Sequence, residues 1–266
     1  MTRLPEFTPF GDYTVHRFIK AGLYNDSYIV KDAQGIPFFM KFYDVSRMPD
    51  KMLQDGVVEE IVQCRRISHP SIIRYVADGS GKINGHEFQY LITKFFEGML
   101  LSEVLREGRK FSAAEAKSIL IPILEGLVYL HDELDLNHND LTPRNILLES
   151  TADGVTPKII DLGHTHGDLE GPVPFPMEDL NLFFVAPEAL KDTFNEKSDI
   201  FSLGAILFTM LTGQEPWHCH IGAHDSFYSR KISIGRARQN ALEYPKGATY
   251  DPRSRSEERF SRNAET

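Results

Sequence analysis

The chain has 266 residues, 41% hydrophobic and 25% charged, which is enough for one large domain or two lobes sharing a cleft and sets aside disordered, collagenous and membrane classes. Its net charge of -9 argues against nucleic acid as a partner, although residues 218–266 carry nine Lys/Arg against six Asp/Glu. Two isolated cysteines (Cys64 and Cys219), an N-terminus without a signal-peptide core, and a longest apolar run (Ile200 to Leu211) too short for a bilayer give a cytoplasmic chain without a membrane partner as the expectation.

Residues 13–44 read as strands: Tyr13 to Ile19, Ser27 to Val30 and Ile36 to Tyr43, with Asp32-Ala33-Gln34-Gly35 as a turn. A helix is predicted over about Pro49 to Ile67, with Met52, Val57, Val58 and Ile61 on one face and His69-Pro70 as its stop. Ile72 to Ala77 and Glu87 to Thr93 are two more strands, joined through Gly79-Ser80-Gly81. The first lobe is therefore expected to hold five strands and one helix. From Leu100 the pattern turns helical. Ser112 and Glu115 form a capping box opening a helix to about His131, with a kink or local break at Pro122. Glu196 to Leu211 is a strongly apolar helix ended by Gly213, and such a helix is normally central to a core. After Trp217 no element is assigned.

The chemistry concentrates in two short stretches, His138-Asn139-Asp140-Leu141-Thr142-Pro143-Arg144-Asn145 and Asp161-Leu162-Gly163. The first precedes the apolar run Ile146-Leu147-Leu148, and the second follows Lys158-Ile159-Ile160. A hairpin of these runs brings both loops to one end of the molecule. Asp140, Asn145 and Asp161 then supply what a reaction on a magnesium-bound phosphate needs: a carboxylate to accept a hydroxyl proton and oxygen ligands for the metal.

Further landmarks fall in a fixed order. Phe38-Phe39-Met40-Lys41, Glu60 nine residues before His69-Pro70, Ser68 to Tyr75, Ala186-Pro187-Glu188 and Asp199-Ile200-Phe201-Ser202-Leu203-Gly204 surround the two loops. In this order and context the chain resembles a eukaryotic-type protein kinase across about residues 13–217. The resemblance implies an α+β, two-lobed fold: a small antiparallel sheet with one helix, then a mainly helical lobe. Its expected divisions are an N-terminal extension (1–12), an N-lobe (13–94), a hinge (95–98), a C-lobe (99–217) and a shortened, irregular end with a basic tail (218–266).

The resemblance also implies roles. ATP and one or two Mg2+ ions are the expected cofactors, and a protein hydroxyl, Ser or Thr in this family's usage, is the expected acceptor. Asp140 is the base, and Asn145 and Asp161 hold metal. Lys41 holds the α/β-phosphates and Glu60 holds Lys41, with neighbouring Glu59 the competing choice. Gly22 lies in the phosphate-covering loop. Thr93 stands at the back of the adenine pocket, and the backbone of Lys94, Phe95 and Phe96 faces adenine.

Several positions depart from the family pattern. Lys20, Gly22 and Asn25 stand where three glycines are usual, Asn being tolerant of left-handed backbone angles. Gly163 can take backbone angles other residues avoid. Asn139 replaces the arginine that commonly binds a phosphorylated activation loop, and residues 167–187 contain no Ser, Thr or Tyr. The two absences fit together and imply activity without activation-loop phosphorylation, with Thr165 the one hydroxyl nearby. Thr142 replaces a lysine, and Arg144 can supply that charge. Asn181 stands where a threonine would contact the base. After Asp199 only 67 residues remain, which leaves room for a protein partner to complete the second lobe, and Arg259 or Arg255 would pair with Glu188. The degenerate loop and short end support an alternative, a pseudokinase acting as a binding or regulatory module. A small-molecule kinase shares the base-and-metal logic but lacks the Ala-Pro-Glu anchoring. His218-Cys219-His220 matches no closed zinc site and reads as a surface loop.

Overall fold

The computed structural model describes residues 3–83, 85–152, 154–171, 173, 180–217 and 234. The chain divides at Pro216 into two units, the second described only at Trp217 and Ile234. The expectations placed on His218 to His220, Arg255 and Arg259 lie outside the described residues.

The first unit opens with an antiparallel sheet whose strand order is β1-β2-β3-β4-β8-β7. These strands are β1 (Pro9–Phe10), β2 (Tyr13–Ala21), β3 (Asn25–Lys31), β4 (Pro37–Asp44), β7 (Tyr75–Ile83) and β8 (His86–Lys94). Six strands form where five were expected, because Pro9 and Phe10 pair with Thr14 and Tyr13. Phe10 packs with Met40, Phe42, Tyr28 and Ile92 in a core on one face of the sheet. The face of β4 carrying Lys41 and Tyr43 turns the other way, toward the rest of the unit, as strand alternation requires.

Two sequence expectations fail here for reasons of turn chemistry. The helix expected over Pro49 to Ile67 is only α1, Glu59–Arg66. Asp55 and Gly56 have φ of 51° and 80°, and they close a miniature hairpin of β5 (Leu53–Gln54) and β6 (Val57–Val58). Asp-Gly is the preferred pair for such a two-residue turn, and it breaks any helix running through it. The second failure is the Gly79-Ser80-Gly81 turn. These residues lie inside β7, whose connection to β8 passes through Gly85 (φ 83°) after Ile83 pairs with His86. The glycines are required because aromatic rings of β8 lie over them. A Cβ at Gly79 would meet the Tyr90 hydroxyl at 2.5 Å, and one at Gly81 would meet Phe88 at 2.7 Å.

The second half is mainly helical: α2 (Leu101–Arg106), α3 (Ala113–Val128) and α4 (Glu196–Thr212). Ser112 and Glu115 form the expected reciprocal cap, and α3 passes through Pro122 to end in one π-helical turn, Tyr129–Glu133. Asn195 caps α4, and Gly213, left-handed at φ 70°, ends it. Strands β9 (Gly98–Leu100), β10 (Ile146–Thr151) and β11 (Gly154–Ile159) make a small antiparallel sheet, while β12 (Leu169–Glu170) pairs with β13 (Thr193–Phe194). One apolar cluster joins α1, α2, α3, β10, β11 and α4 through residues such as Ile61, Leu101, Ile123, Leu127, Ile159 and Ile206. Each such buried side chain contributes roughly 1.5–3 kcal/mol of transfer free energy. Among the described residues no helix is long and apolar enough to cross a membrane.

Candidate active site

The hairpin of β10 and β11 brings both loops to one end, with Ile146 opposite Ile159. The loop before β10 is held from below by α4. Asp199, in the first turn of α4 and 1% exposed, accepts hydrogen bonds from the backbone N–H of His138 (2.7 Å) and Asn139 (2.9 Å) and lies 2.9 Å from His131 Nε2. Asn139 is left-handed (φ 67°), a conformation Asn tolerates better than most residues. Its side chain donates to the His164 carbonyl at 2.9 Å, which ties this loop to the segment after Asp161. Asn145 Nδ2 donates to the Asp140 carbonyl (2.7 Å) and to Asp140 Oδ2 (3.0 Å).

Lys41, Glu60 and Asp161 meet across three elements. Lys41 Nζ lies 2.6 Å from Glu60 Oε1 and 2.8 Å from Asp161 Oδ1. Tyr43, two residues along the same face of β4, donates its hydroxyl to Glu60 Oε2 at 2.7 Å. Both oxygens of the buried Glu60 are therefore engaged. Gly163 N–H donates to Asp161 Oδ1 at 3.1 Å. Gly163 has no left-handed φ; a Cβ there would lie 3.2 Å from Asp161 Oδ1 and 3.4 Å from Glu60 Oε2, so a side chain would crowd the two carboxylates.

The protonation states follow from this packing. Burial alone would lower the Lys41 ammonium, but Asp161 and Glu60 outweigh it and hold Lys41 firmly charged. Burial alone would raise the Asp161 carboxyl, but Lys41 and the Gly163 N–H leave it well below the usual carboxylate range. Burial, reinforced by Glu60, pushes the Tyr43 hydroxyl up, so it stays a donor. Burial lowers His138, and lowers His164 to about 4. His164 Nδ1 stands 3.9 Å from Asp140 Oδ2.

A cleft of about 690 Å³ gathers most residues singled out from the sequence: Gly22, Lys41, Glu60, Asp140, Arg144, Asn145 and Asp161 all line it, together with Lys20, Asn25 and Asn181. Arg144 is exposed there. Gly22 N–H donates to the Asn25 carbonyl at 2.6 Å, and a side chain at Gly22 would crowd that oxygen. Asn25 opens β3 without a left-handed φ. Thr93, Lys94, Phe95 and Phe96 are not brought to this cleft. Thr93 is buried in β8 opposite Phe39, which alternation puts on the Lys41 face. Lys94 and Phe95 line a separate groove with Ile36, Phe38, Arg74 and Tyr75, and the Phe96 ring has Lys94 and Lys158 over it at 5.0 and 5.2 Å.

The donor set suits magnesium. Asn145 spends its N–H groups on Asp140, which leaves its amide oxygen as the side chain's remaining donor atom, in a cleft that Asp161 also lines. Among the described residues no group of three or more His, Cys, Asp or Glu could hold a metal by itself.

Tyr43 and Asp199 were missed as site residues. A Tyr on the same strand face as Lys41 was a usable signal, whereas only the packing of α4 under the loop gives Asp199 its partners.

The chain matches the family model described as protein kinase domain over residues 13–262. It is similar to serine/threonine-protein kinase ATG1b of Arabidopsis thaliana, 30% identical over 216 residues, covering 78% of this chain and 28% of that protein. It is also similar to ribosomal protein S6 kinase alpha-4 of Homo sapiens, 34% identical over 158 residues, covering 56% and 19%. A third similarity is to calcium-dependent protein kinase 4 of Plasmodium berghei (strain Anka), 24% identical over 223 residues, covering 83% and 40%. The matched region spans well under half the length of each of these relatives.

Proposed function

The chain belongs to the protein kinase domain family, and from that premise we propose that it transfers the γ-phosphate of ATP to a Ser or Thr hydroxyl of a protein, without phosphorylation of its activation segment. The observation that carries this reading is Lys41, held at once by Glu60 and by Asp161. Ammonium, carboxylate and strand meet only when α1 is docked against β4, which is the arrangement the chemistry requires.

Within that reading Asp140 accepts or orients the proton of the attacking hydroxyl, with Asn145 fixing its carboxylate. Asn145 and Asp161 would hold magnesium, which when bound neutralises charge on the phosphates. Lys41 orients the phosphate oxygens and Arg144, exposed at the cleft, offers a further positive charge. Thr165 is 1% exposed, which supports a segment that works unmodified. Thr165→Ala is therefore expected to leave activity nearly unchanged, and a large loss would sink that part of the proposal.

The direct test is transfer from radiolabelled ATP to a generic protein substrate, comparing wild type with Asp140→Ala and Asp161→Ala. Label that persists in both variants would refute the assignment. A second reading, a binding or regulatory module, is favoured by the two missing loop glycines. Thermal shift with ATP, with and without magnesium, separates the two: no shift and no transfer would support the module. The cytoplasm is the proposed location.

A further inference from the structure

The carboxylate next to Glu60 has its own partner. Glu59 Oε1 lies 2.9 Å from His166 Nδ1, with the two side chains 21% and 15% exposed. Glu59 is the first residue of α1, an eight-residue helix whose N-cap, Val58, provides no side-chain cap. A helix this short is marginal unless tertiary contacts hold it. On one side the Gln89 side chain accepts the Val58 N–H at 2.8 Å and donates to the Gly56 carbonyl at 2.6 Å. On the other side stands His166.

His166 is a fixed post. It exchanges two backbone hydrogen bonds with Asn137, at 2.6 and 3.1 Å, directly before His138-Asn139-Asp140. Asn137 also donates to Asp168 Oδ1 at 2.9 Å. The contact therefore joins the start of α1 to the loop carrying Asp140, through residues that need no modification. It lies five residues beyond Asp161, in a chain where residues 167–187 contain no hydroxyl side chain and Asn139 replaces an arginine.

We infer that the Glu59–His166 pair is a built-in latch, a pair of positioning residues that hold α1 where Glu60 can engage Lys41. This rests on the kinase reading for its effect on rate, but the latch itself is a statement about α1. An N–H on Nδ1 suffices for the bond, so the latch holds with a neutral or a charged imidazole of the appropriate tautomer.

The test uses the full chain and two measurements, phosphate transfer and hydrogen exchange of residues 59–66, with exchange in α3 as the control for intact folding. His166→Ala and Glu59→Ala are each expected to lower kcat about tenfold with little change in the protein-substrate KM, and to speed exchange in α1 about tenfold. The double variant should be no worse than either single, as expected of two groups in one interaction. His166→Asn, which keeps a donor near the Nδ1 position, should restore most of both. Unchanged α1 exchange in His166→Ala, or losses that multiply in the double variant, would overturn the latch. If the wild type transfers no phosphate, the kinase reading fails while the exchange measurement still decides the latch.

Discussion

The two ends of the cleft differ in how they are built. Around Lys41 the buried charges have hydrogen-bond partners: Lys41 has Glu60 and Asp161, Glu60 also has Tyr43, and Asp161 also has the Gly163 N–H. At the other end Phe39 stands opposite Thr93 on β4, and Lys94 and Phe95 line a different groove. The difference teaches that the charged groups of the cleft are positioned through one another in the folded chain. A buried charge must be compensated in the fold itself, because leaving it alone costs several kcal/mol. A base-binding surface of backbone and apolar side chains carries no such requirement.

The sharpest way to break the comparison is at Asp161. Asp161→Ala removes the carboxylate proposed to hold magnesium and one of the partners of Lys41, and phosphate transfer is expected to fall roughly a thousandfold or more. A residual rate within tenfold of wild type, measured as kcat/KM, would mean the Lys41 end does no chemistry.

Glu60→Ala is expected to lower unfolding free energy by about 3–5 kcal/mol in urea titration, because it leaves Lys41 and the Tyr43 hydroxyl short of a buried partner. Tyr43→Phe removes one hydrogen bond and should cost only about 1 kcal/mol by the same measurement. The ratio of the two sharpens how far Lys41 rather than Tyr43 holds Glu60.

Acid is a third probe. His164 is lowered to about 4 and His138 is lowered as well, both by burial. In the unfolded chain these groups take up protons near pH 6.5, whereas His164 in the folded chain waits until about pH 4. Stability is therefore expected to fall as pH drops from about 6.5 to 4, by up to about 3 kcal/mol from His164. Asp161 acts below that window: its stabilising charge is present above the ordinary carboxylate range and is lost only in stronger acid. Thermal unfolding from pH 7 to 4 should show a slope that flattens in His164→Gln.

The smallest expected effect is at the other end. Phe39→Ala should open space beside Thr93 and raise affinity for ATP by less than about tenfold, read by calorimetry. An unchanged affinity for ATP with an equal response to inosine triphosphate would sharpen the view that the base end contributes little.

Legibility in the sequence follows the range of the forces involved. Strand alternation, the Ser112 cap, the Gly213 stop and the hairpin of β10 and β11 were readable because each depends on neighbours within a few residues. The β5–β6 hairpin was equally local, since Asp55-Gly56 is a turn pair, yet the apolar spacing of Met52, Val57 and Ile61 concealed it. The identities of Lys41, Glu60, Asp140, Asn145 and Asp161, and their order, were likewise fixed by sequence. Their partners were decided by tertiary structure. Glu59 and Glu60 are adjacent and chemically identical, but about 100° of helical rotation separates them and sends one to His166 and the other to Lys41. Which side chain meets which across a hundred residues depends on directions set by packed elements, and only the folded core supplies those.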